Sequence, residues 1–311
     1  MRYVVTGGSG FVGSHLVDLL LDRDSEVVVV DKISNYDSVF ERSSNVKLKT
    51  LYMDLTNIDL VNKMLRKDDV VIHLAAQSHV DVSFRMPVET TYQNVISAHC
   101  LLEACIKNEV KKLIIMSTDE VYGSTNVING FNTLDPANPY SASKAAVDMI
   151  ANAYVHMYPD FTIATLRSNN IAGPRQFVRN IIPRFSLLAL ANRKMTLHGD
   201  GSATRRYLWV KDAANALLLL ADRCEESSIF NIGHDKSYTN LEIANKIASY
   251  LNVRDHVSFE KDRLINDVFY PPSDGSMEQK FGWRVTKELD DFLPETIEWY
   301  RENFENLKKH I

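Results

Sequence analysis

The sequence predicts an α/β protein in which a doubly wound parallel sheet is joined to a smaller, partly helical C-terminal lobe. The first observation is an alternation, up to about residue 170, of short β-branched runs with longer segments of helical apolar spacing. The second is that prolines and glycines interrupt this rhythm beyond residue 170, where helical patterns dominate. We therefore expect a main domain at residues 1–170 and a lobe at residues 171–311, with some elements of the lobe returning to the main sheet.

Each element follows from a local pattern. Strands are predicted where apolar and β-branched residues run together, at residues 2–6, 26–30, 46–53, 70–74, 113–117 and 162–167. Helices are predicted where apolar residues recur every three or four positions. In the main domain these segments are residues 11–21, 58–65, 87–107 and 141–158. In the lobe they are residues 181–192, 210–222, 241–251 and 293–304.

The composition excludes several classes of protein. Hydrophobic residues make up 45% of the chain and charged residues 24%, as in ordinary globular proteins. The net charge of −5 disfavours broad binding to nucleic acids or anionic membranes. No apolar run approaches the roughly 18 residues of a membrane span, and the first residues lack the layout of a signal peptide. The three cysteines form no C-x-x-C pair, which is typical of reduced thiols, so we expect a cytoplasmic protein.

A glycine-rich turn follows the first predicted strand. Gly7, Gly10 and Gly13 form a G-x-x-G-x-x-G pattern that opens the first helix at Phe11 and Val12. Glycine lets the backbone turn tightly and lets a pyrophosphate approach it, while the free N–H groups of the helix N-terminus attract the phosphates. The strand–turn–helix context therefore predicts a Rossmann-like dinucleotide site.

Residues at the ends of the next strands complete the predicted NAD site. Asp31 ends the second strand, where a carboxylate accepts from the ribose 2′-hydroxyl of NAD and repels the 2′-phosphate of NADP. Lys32 beside it weakens that preference. Asp54 follows the third strand and either binds the adenine amine or serves as an ordinary turn residue. The other predicted cofactor contacts are Leu55, Ala75 and Ala76.

Two groups of residues are candidates for chemistry. Tyr140 and Lys144 are four apart and so share one helix face, where the ammonium and a positive nicotinamide ring would favour the phenolate of Tyr140. Thr118, Asp119 and Glu120 follow the strand at residues 113–117, at the sheet edge where ligands bind. Because adjacent carboxylates repel, one is pushed towards its protonated form, which places an acid beside a base. An acidic pair at a helix start is the structural alternative.

The runs S-T-D-E-V-Y-G at residues 117–123 and Y-S-A-S-K at residues 140–144 resemble the dTDP-glucose 4,6-dehydratase family of extended short-chain dehydrogenases/reductases. The likeness covers essentially the whole chain. It includes residues 74–81, 168–170, 199–201, 230–233 and 262–263. The Asp-Glu pair is the specific element, because sugar epimerases and decarboxylases of the superfamily lack it.

The resemblance implies NAD-dependent 4,6-dehydration of a nucleoside-diphosphate hexose to the 4-keto-6-deoxy sugar. Tyr140, assisted by Thr118 and Lys144, would deprotonate the C4 hydroxyl while NAD takes the C4 hydride. Glu120 would remove the C5 proton and Asp119 would protonate the departing C6 hydroxyl, after which the hydride would return to C6. The resemblance also implies a homodimer formed by the helices at residues 87–107 and 141–158.

Substrate contacts are implied in the same way. They are Ser78, His79, Asn169, Asn170, Asn180, His198, Arg205, Asn231 and Arg263. Nearby positions depart from the family pattern, since Ala172 replaces a tyrosine and Val178-Arg179-Asn180 replaces a Pro-Glu-Lys run. We expect these changes to open room near the sugar or base. The candidate substrates are dTDP-glucose, UDP-glucose and UDP-N-acetylglucosamine, and the changes favour a UDP-sugar.

Other functions stay open at this point. The enzymatic alternatives are a nucleotide-sugar 4-epimerase, which the Asp119–Glu120 pair disfavours, a UDP-sugar 5,6-dehydratase and a dehydratase that also inverts C5. A non-catalytic NAD-binding regulator would not need the candidate catalytic residues. The histidines follow no metal-ligand spacing, so we expect no metal site.

Overall fold

The computed structural model describes residues 1–32, 45–123, 134–254, 256–261 and 273–311. Its main sheet has seven strands, which we number by their place in the chain. They are β1 Arg2–Thr6, β2 Glu26–Asp31, β3 Leu48–Tyr52, β4 Val70–His73, β5 Lys112–Met116, β6 Thr162–Ser168 and β10 Ser228–Ile232. Their spatial order is β3-β2-β1-β4-β5-β6-β10, and all neighbouring pairs run parallel. The predicted parallel sheet is confirmed.

Helices cover both faces of this sheet. In chain order they are α1 Phe11–Asp22, α2 Ile58–Met64, α3 Val80–Arg85, α4 Pro87–Lys107, α5 Pro139–Met157, α6 Ile181–Leu190, α7 Val210–Arg223, α8 Asn240–Leu251, α9 Ser276–Phe281, α10 Leu289–Glu302 and α11 Phe304–Leu307. Alternate strand residues feed two cores: Val5 and Ile72 pack with α1 and α7, whereas Val4 and Val71 pack with α2, α4 and α5. The sheet is thus doubly wound.

The remaining elements form two small sheets and a third core. One sheet contains β7 Asn170–Ala172, β9 Thr204–Trp209 and β11 Ser237–Thr239; the other contains β8 Met195–His198 and β12 Val257–Glu260. Helices α6, α8 and α10 pack against them in the third core. These five strands have three to six residues each and no apolar run long enough to be recognised in the sequence. The domain boundary at residue 170 stays a prediction, and β10 lies beyond it in the main sheet.

Several predicted boundaries differ from the structure by a few residues. The last long helix begins at Leu289 rather than at residue 293, because Glu288 and Asp291 form a capping box ahead of Pro294. The third strand is shorter than residues 46–53. Among the described residues, no helix has the length and hydrophobicity needed to cross a bilayer.

Candidate active site

A cleft of about 640 Å³ follows the carboxyl ends of β1, β4, β5 and β6. The strand order reverses between β1 and β4, and ligands of open α/β sheets bind at such a switch point. All the predicted catalytic and cofactor-binding residues line this one cleft. They are Gly7, Gly10, Phe11, Val12, Gly13, Asp31, Lys32, Asp54, Leu55, Ala75, Ala76, Thr118, Asp119, Glu120, Tyr140 and Lys144.

The turn between β1 and α1 has no space for a side chain at Gly7 or Gly13. A Cβ atom on Gly13 would lie 2.2 Å from the Gly7 carbonyl oxygen, and one on Gly7, whose φ is +70°, would lie 2.7 Å from the Ala75 nitrogen. Gly10 is the N-cap of α1 and provides no side-chain acceptor for the first-turn N–H groups. These N–H groups and the absence of side chains at the three glycines fit a pyrophosphate lying against the backbone.

Asp31 is held in place at the edge of the cleft. Its carboxylate accepts hydrogen bonds from the backbone N–H groups of Ser9 (3.2 Å) and Lys32 (2.8 Å). The Lys32 ammonium pairs with Asp54 at 2.8 Å, and Thr56 also donates to Asp54. Because the charge of Lys32 is paired, it offers less attraction for a 2′-phosphate than the sequence suggested. The glycine turn and this carboxylate together fit NAD.

Asp119 and Glu120 lie on a short 3₁₀ turn, Asp119–Tyr122, that follows β5. The Thr118 side chain caps the turn by accepting from the Glu120 N–H (3.2 Å), and its hydroxyl donates to Asp119 Oδ1 (3.3 Å). Asn138, the N-cap of α5, donates to Glu120 Oε2 at 3.0 Å. The two carboxyl groups therefore have different partners.

The pKa of Asp119 is raised to about 7, mainly by burial and to a smaller extent by the neighbouring charge of Glu120, although the hydrogen bond from Asn169 Nδ2 (2.6 Å) opposes the shift. The sequence predicted that one carboxyl group would be pushed towards its protonated form. The direction is as expected, but burial contributes more than the repulsion. A substantial protonated fraction near neutral pH makes Asp119 able to act as an acid.

Lys144 is buried and Tyr140 is half-buried on one face of α5, beside this turn. Burial lowers the pKa of Lys144 to about 8, and its Nζ donates to the Met116 carbonyl oxygen. Burial also raises the pKa of Tyr140 above its usual range, the charge of Glu120 adds to this, and a hydrogen bond with Thr118 opposes it. In the protein chain alone the phenolate is therefore disfavoured, and the expectation that Lys144 and a positive nicotinamide ring together favour it stays a prediction.

The structure brings five of the nine predicted substrate contacts to the cleft. These are Ser78, His79, Asn169, Asn170 and Asn180. The His79 ring packs on Phe177 with ring centroids 4.3 Å apart. Asn169 is buried and uses its amide oxygen to accept from the His234 N–H at 3.0 Å, so its side chain is fixed between Asp119 and the loop after β10.

The other predicted contacts lie elsewhere. His198 is exposed at the end of β8, and Arg205 on β9 donates to the Thr204 carbonyl oxygen. Asn231 is buried behind the cleft, where Tyr122 and Asp274 bond to its side chain. Arg263 lies outside the described residues. Ala172 is fully buried in the third core, so its replacement of a larger residue does not widen the cleft.

Comparison with known proteins decides the family. Residues 3–233 match the family described as NAD dependent epimerase/dehydratase. The chain belongs to this family. DesIV, a dTDP-glucose 4,6-dehydratase of Streptomyces venezuelae solved with NAD bound, superposes with a TM-score of 0.91 and 32% identity over 97% of this chain and 98% of DesIV. The dTDP-D-glucose 4,6-dehydratase of Bos taurus is 34% identical over 99% of this chain and 90% of its own. The resemblance stated from the sequence is confirmed.

A longer relative shares the same region. A trifunctional protein of Arabidopsis thaliana, named for UDP-glucose 4,6-dehydratase, 3,5-epimerase and reductase activities, is 35% identical over 96% of this chain. The chain spans 47% of that relative's length.

Sequence reasoning missed several polar residues of the family site. Asn94, on the buried side of α4, accepts from the Gln77 N–H (2.7 Å) and donates to the Gln77 carbonyl oxygen (3.0 Å) and to Ser143 Oγ (2.9 Å). It thereby ties the loop after β4 to the catalytic helix α5. The available signal was an asparagine among the apolar positions of a long helix. The described residues contain no group of three or more His, Cys, Asp and Glu side chains that could hold a metal ion.

Proposed function

We propose that the protein catalyses the NAD-dependent 4,6-dehydration of a nucleoside-diphosphate hexose to its 4-keto-6-deoxy product. The observation that carries this proposal is the arrangement of Asp119 and Glu120 beside Tyr140 in a cleft that fits NAD. Oxidation of an alcohol needs only Tyr140 and the cofactor. Elimination of water needs an acid and a base in addition, and the turn after β5 supplies both.

When bound, NAD supplies the hydride acceptor for C4 and the same hydride for C6. Tyr140 takes the proton of the C4 hydroxyl, with Thr118 hydrogen-bonded to it and Lys144 one helical turn away on the same face. The raised pKa of Tyr140 in the chain alone means that positive charge in the occupied cleft has to stabilise the phenolate.

The elimination is assigned to the acidic pair. The 4-keto group acidifies the C5 hydrogen, and Glu120, held by Asn138, removes it as a proton. Asp119 gives its proton to the C6 hydroxyl, which leaves as water. C5 regains a proton when the hydride reaches C6, so the product has lost one water and the cofactor is regenerated. This use of Asp119 agrees with a pKa of about 7.

One of the competing functions uses less of this site. A 4-epimerase, which moves only the C4 hydride and proton, has no need of a buried acid beside a second carboxylate. A 5,6-dehydratase or a C5-inverting dehydratase would use the same acid and base, and the product's structure separates these from the proposed reaction. The relatives are named for both dTDP-glucose and UDP-glucose, so the test compares nucleotide sugars with either base.

The test is proton NMR in D2O with NAD and, in parallel, dTDP-glucose, UDP-glucose and UDP-N-acetylglucosamine. We expect a new C6 methyl signal with deuterium at C5 from one of them. A 4-epimer or an alkene product would contradict the proposal, as would no reaction.

Glu120→Gln should lower turnover about a hundredfold or more and suppress C5 deuteration, as expected for loss of a general base. Glu109→Gln, at an exposed surface ion pair, is the matched control.

We also propose that the protein acts as a homodimer in the cytoplasm. Helices α4 and α5 pack against each other and expose large apolar side chains. Val88 is 80% exposed, Met157 61%, Met149 50% and Tyr92 48%. A second copy of the chain covering this face would remove that area from water. Free thiols at all three cysteines are consistent with a reducing compartment.

A further inference from the structure

A buried network supports the turn that carries Asp119 and Glu120. Tyr122, the last residue of this turn, is almost fully buried and does not line the cleft. Its hydroxyl donates to Asn231 Oδ1 at 2.8 Å and accepts from Arg167 Nη1 at 2.7 Å. The Arg167 guanidinium also lies 4.8 Å from the centre of the Tyr122 ring. One end of the turn is thus fixed by three contacts.

Arg167 is in turn held by a buried carboxylate. Its Nε donates to Asp148 Oδ2 at 2.8 Å, and both side chains are fully buried. Ser117, which directly precedes Thr118, donates to the same oxygen at 3.0 Å. A buried ion pair costs desolvation and is weak evidence for stability. Its position between α5, β6 and the start of the catalytic loop points to a geometric role.

The other end of the turn, at Asp119, is connected to the loop that follows β10. Asn169 donates to Asp119 and accepts from the N–H of His234, which follows β10. Asn231, on β10 itself, holds Tyr122 and donates to Asp274 Oδ2 at 2.6 Å. Both ends of the Asp119–Tyr122 turn are therefore connected to β10, a strand that lies far along the chain.

We propose that Arg167, Tyr122 and Asn231 are positioning residues for the elimination step: they fix the orientation of the turn that presents Asp119 and Glu120. The proposal rests on the dehydratase function proposed above. Tyr140, in contrast, lies in the first turn of α5, which the Asn138–Ser141 capping box holds in addition to the bond from Asn138 to Glu120. Loosening the turn should therefore impair elimination at C5 and C6 more than oxidation at C4.

The test is Tyr122→Phe, which removes the bonded hydroxyl and keeps the ring. Tyr207→Phe is the matched control, because the Tyr207 hydroxyl is buried and has no hydrogen-bond partner within the described part of the chain. We expect Tyr122→Phe to lower kcat by about tenfold, the approximate value of one buried hydrogen bond. With sugars deuterated at C4 or at C5, its kinetic isotope effect should grow at C5 and shrink at C4. Asn231→Ala, which removes the other bond to this hydroxyl, should shift the isotope effects in the same direction.

Three outcomes would overturn the inference. Wild-type isotope effects in both Tyr122→Phe and Asn231→Ala, whatever their rates, would show that the network has only a structural role. An equal shift in Tyr207→Phe would show that any buried hydroxyl has this effect. A wild-type enzyme that forms no 4-keto-6-deoxy sugar from any of the three nucleotide sugars would refute the proposed function first, and the inference with it.

Discussion

Asp119 and Glu120 are adjacent in the chain, yet their surroundings differ. Asp119 is buried and bonded to Asn169 and Thr118, whereas Glu120 is partly exposed and bonded to Asn138. Burial disfavours the charged form of a carboxyl group, so the raised pKa of Asp119 follows from its position rather than from its residue type. At the residue scale, the separation into acid and base therefore depends on which carboxylate the turn directs inward.

This raised pKa predicts a pH-dependent stability. Asp119 has a pKa of about 7 in the folded chain against an ordinary value of 3.8, so between these values the folded state retains a proton that the unfolded state has lost. The free energy of unfolding should therefore fall as pH rises through this window. Asp119→Asn cannot titrate and should lack this contribution, so the variant gains stability relative to wild type as pH rises.

Denaturant unfolding across that pH range measures the difference. Asp160→Asn, at an exposed position, is the control and should keep the wild-type slope. Equal slopes for Asp119→Asn and wild type would mean that the carboxyl group is not desolvated in the folded protein.

At the scale of elements, the junction of β1 and α1 depends on backbone proximity. Gly13 lies against the Gly7 carbonyl oxygen, and Gly7 lies against the loop after β4. A Cβ at Gly13 would have to displace backbone rather than a flexible side chain. The dinucleotide turn can therefore keep its shape only while these positions are glycine.

We predict that Gly13→Ala weakens NAD binding by about tenfold or more, because such overpacking costs about 1–3 kcal/mol and shifts the turn. Calorimetric titration of NAD into the purified chain measures this directly. Gly282→Ala is the control: its φ of +72° makes this substitution strained as well, but the residue lies at the end of α9, outside the cleft, so the affinity for NAD should stay unchanged. Unchanged NAD affinity in Gly13→Ala would contradict the proposed position of the pyrophosphate.

At the scale of the whole molecule, helices α4 and α5 each have an inner face, which packs in the core and lines the cleft, and an outer face, which is exposed. Their inner residues form the core under β4 and β5, and Tyr140, Lys144 and Asn94 reach the cleft from them. Their outer residues expose the apolar face that we assign to a second copy of the chain. Dimer formation would therefore brace the helix that carries Tyr140 and Lys144.

Met149→Glu is expected to weaken this dimer, because it places a charge within the proposed apolar contact. Sedimentation of the purified protein at several concentrations should show a shift towards monomer. Phe259→Glu, an equally exposed apolar position on β12, is the control and should leave the assembly unchanged. A wild-type protein that sediments as a monomer would contradict the proposed homodimer.

The sequence by itself determined the parallel sheet, the glycine turn and the candidate catalytic residues. Each depends on a local pattern: β-branched runs, helical spacing, or a motif within a few residues of a strand end. In a parallel sheet the carboxyl ends of the strands share one edge. The sequence alone therefore places Gly7, Asp31, Ala75 and Asp119 at that edge.

Only the tertiary structure decided which polar contacts connect these residues and how deeply each is buried. It placed Asn94 between Gln77 and Ser143, and Asn169 on Asp119, although these partners are far apart in the chain. It also placed His198 and Asn231 outside the cleft. Such contacts, and the burial that raises the pKa of Asp119, depend on how distant segments pack, and no local pattern encodes that packing.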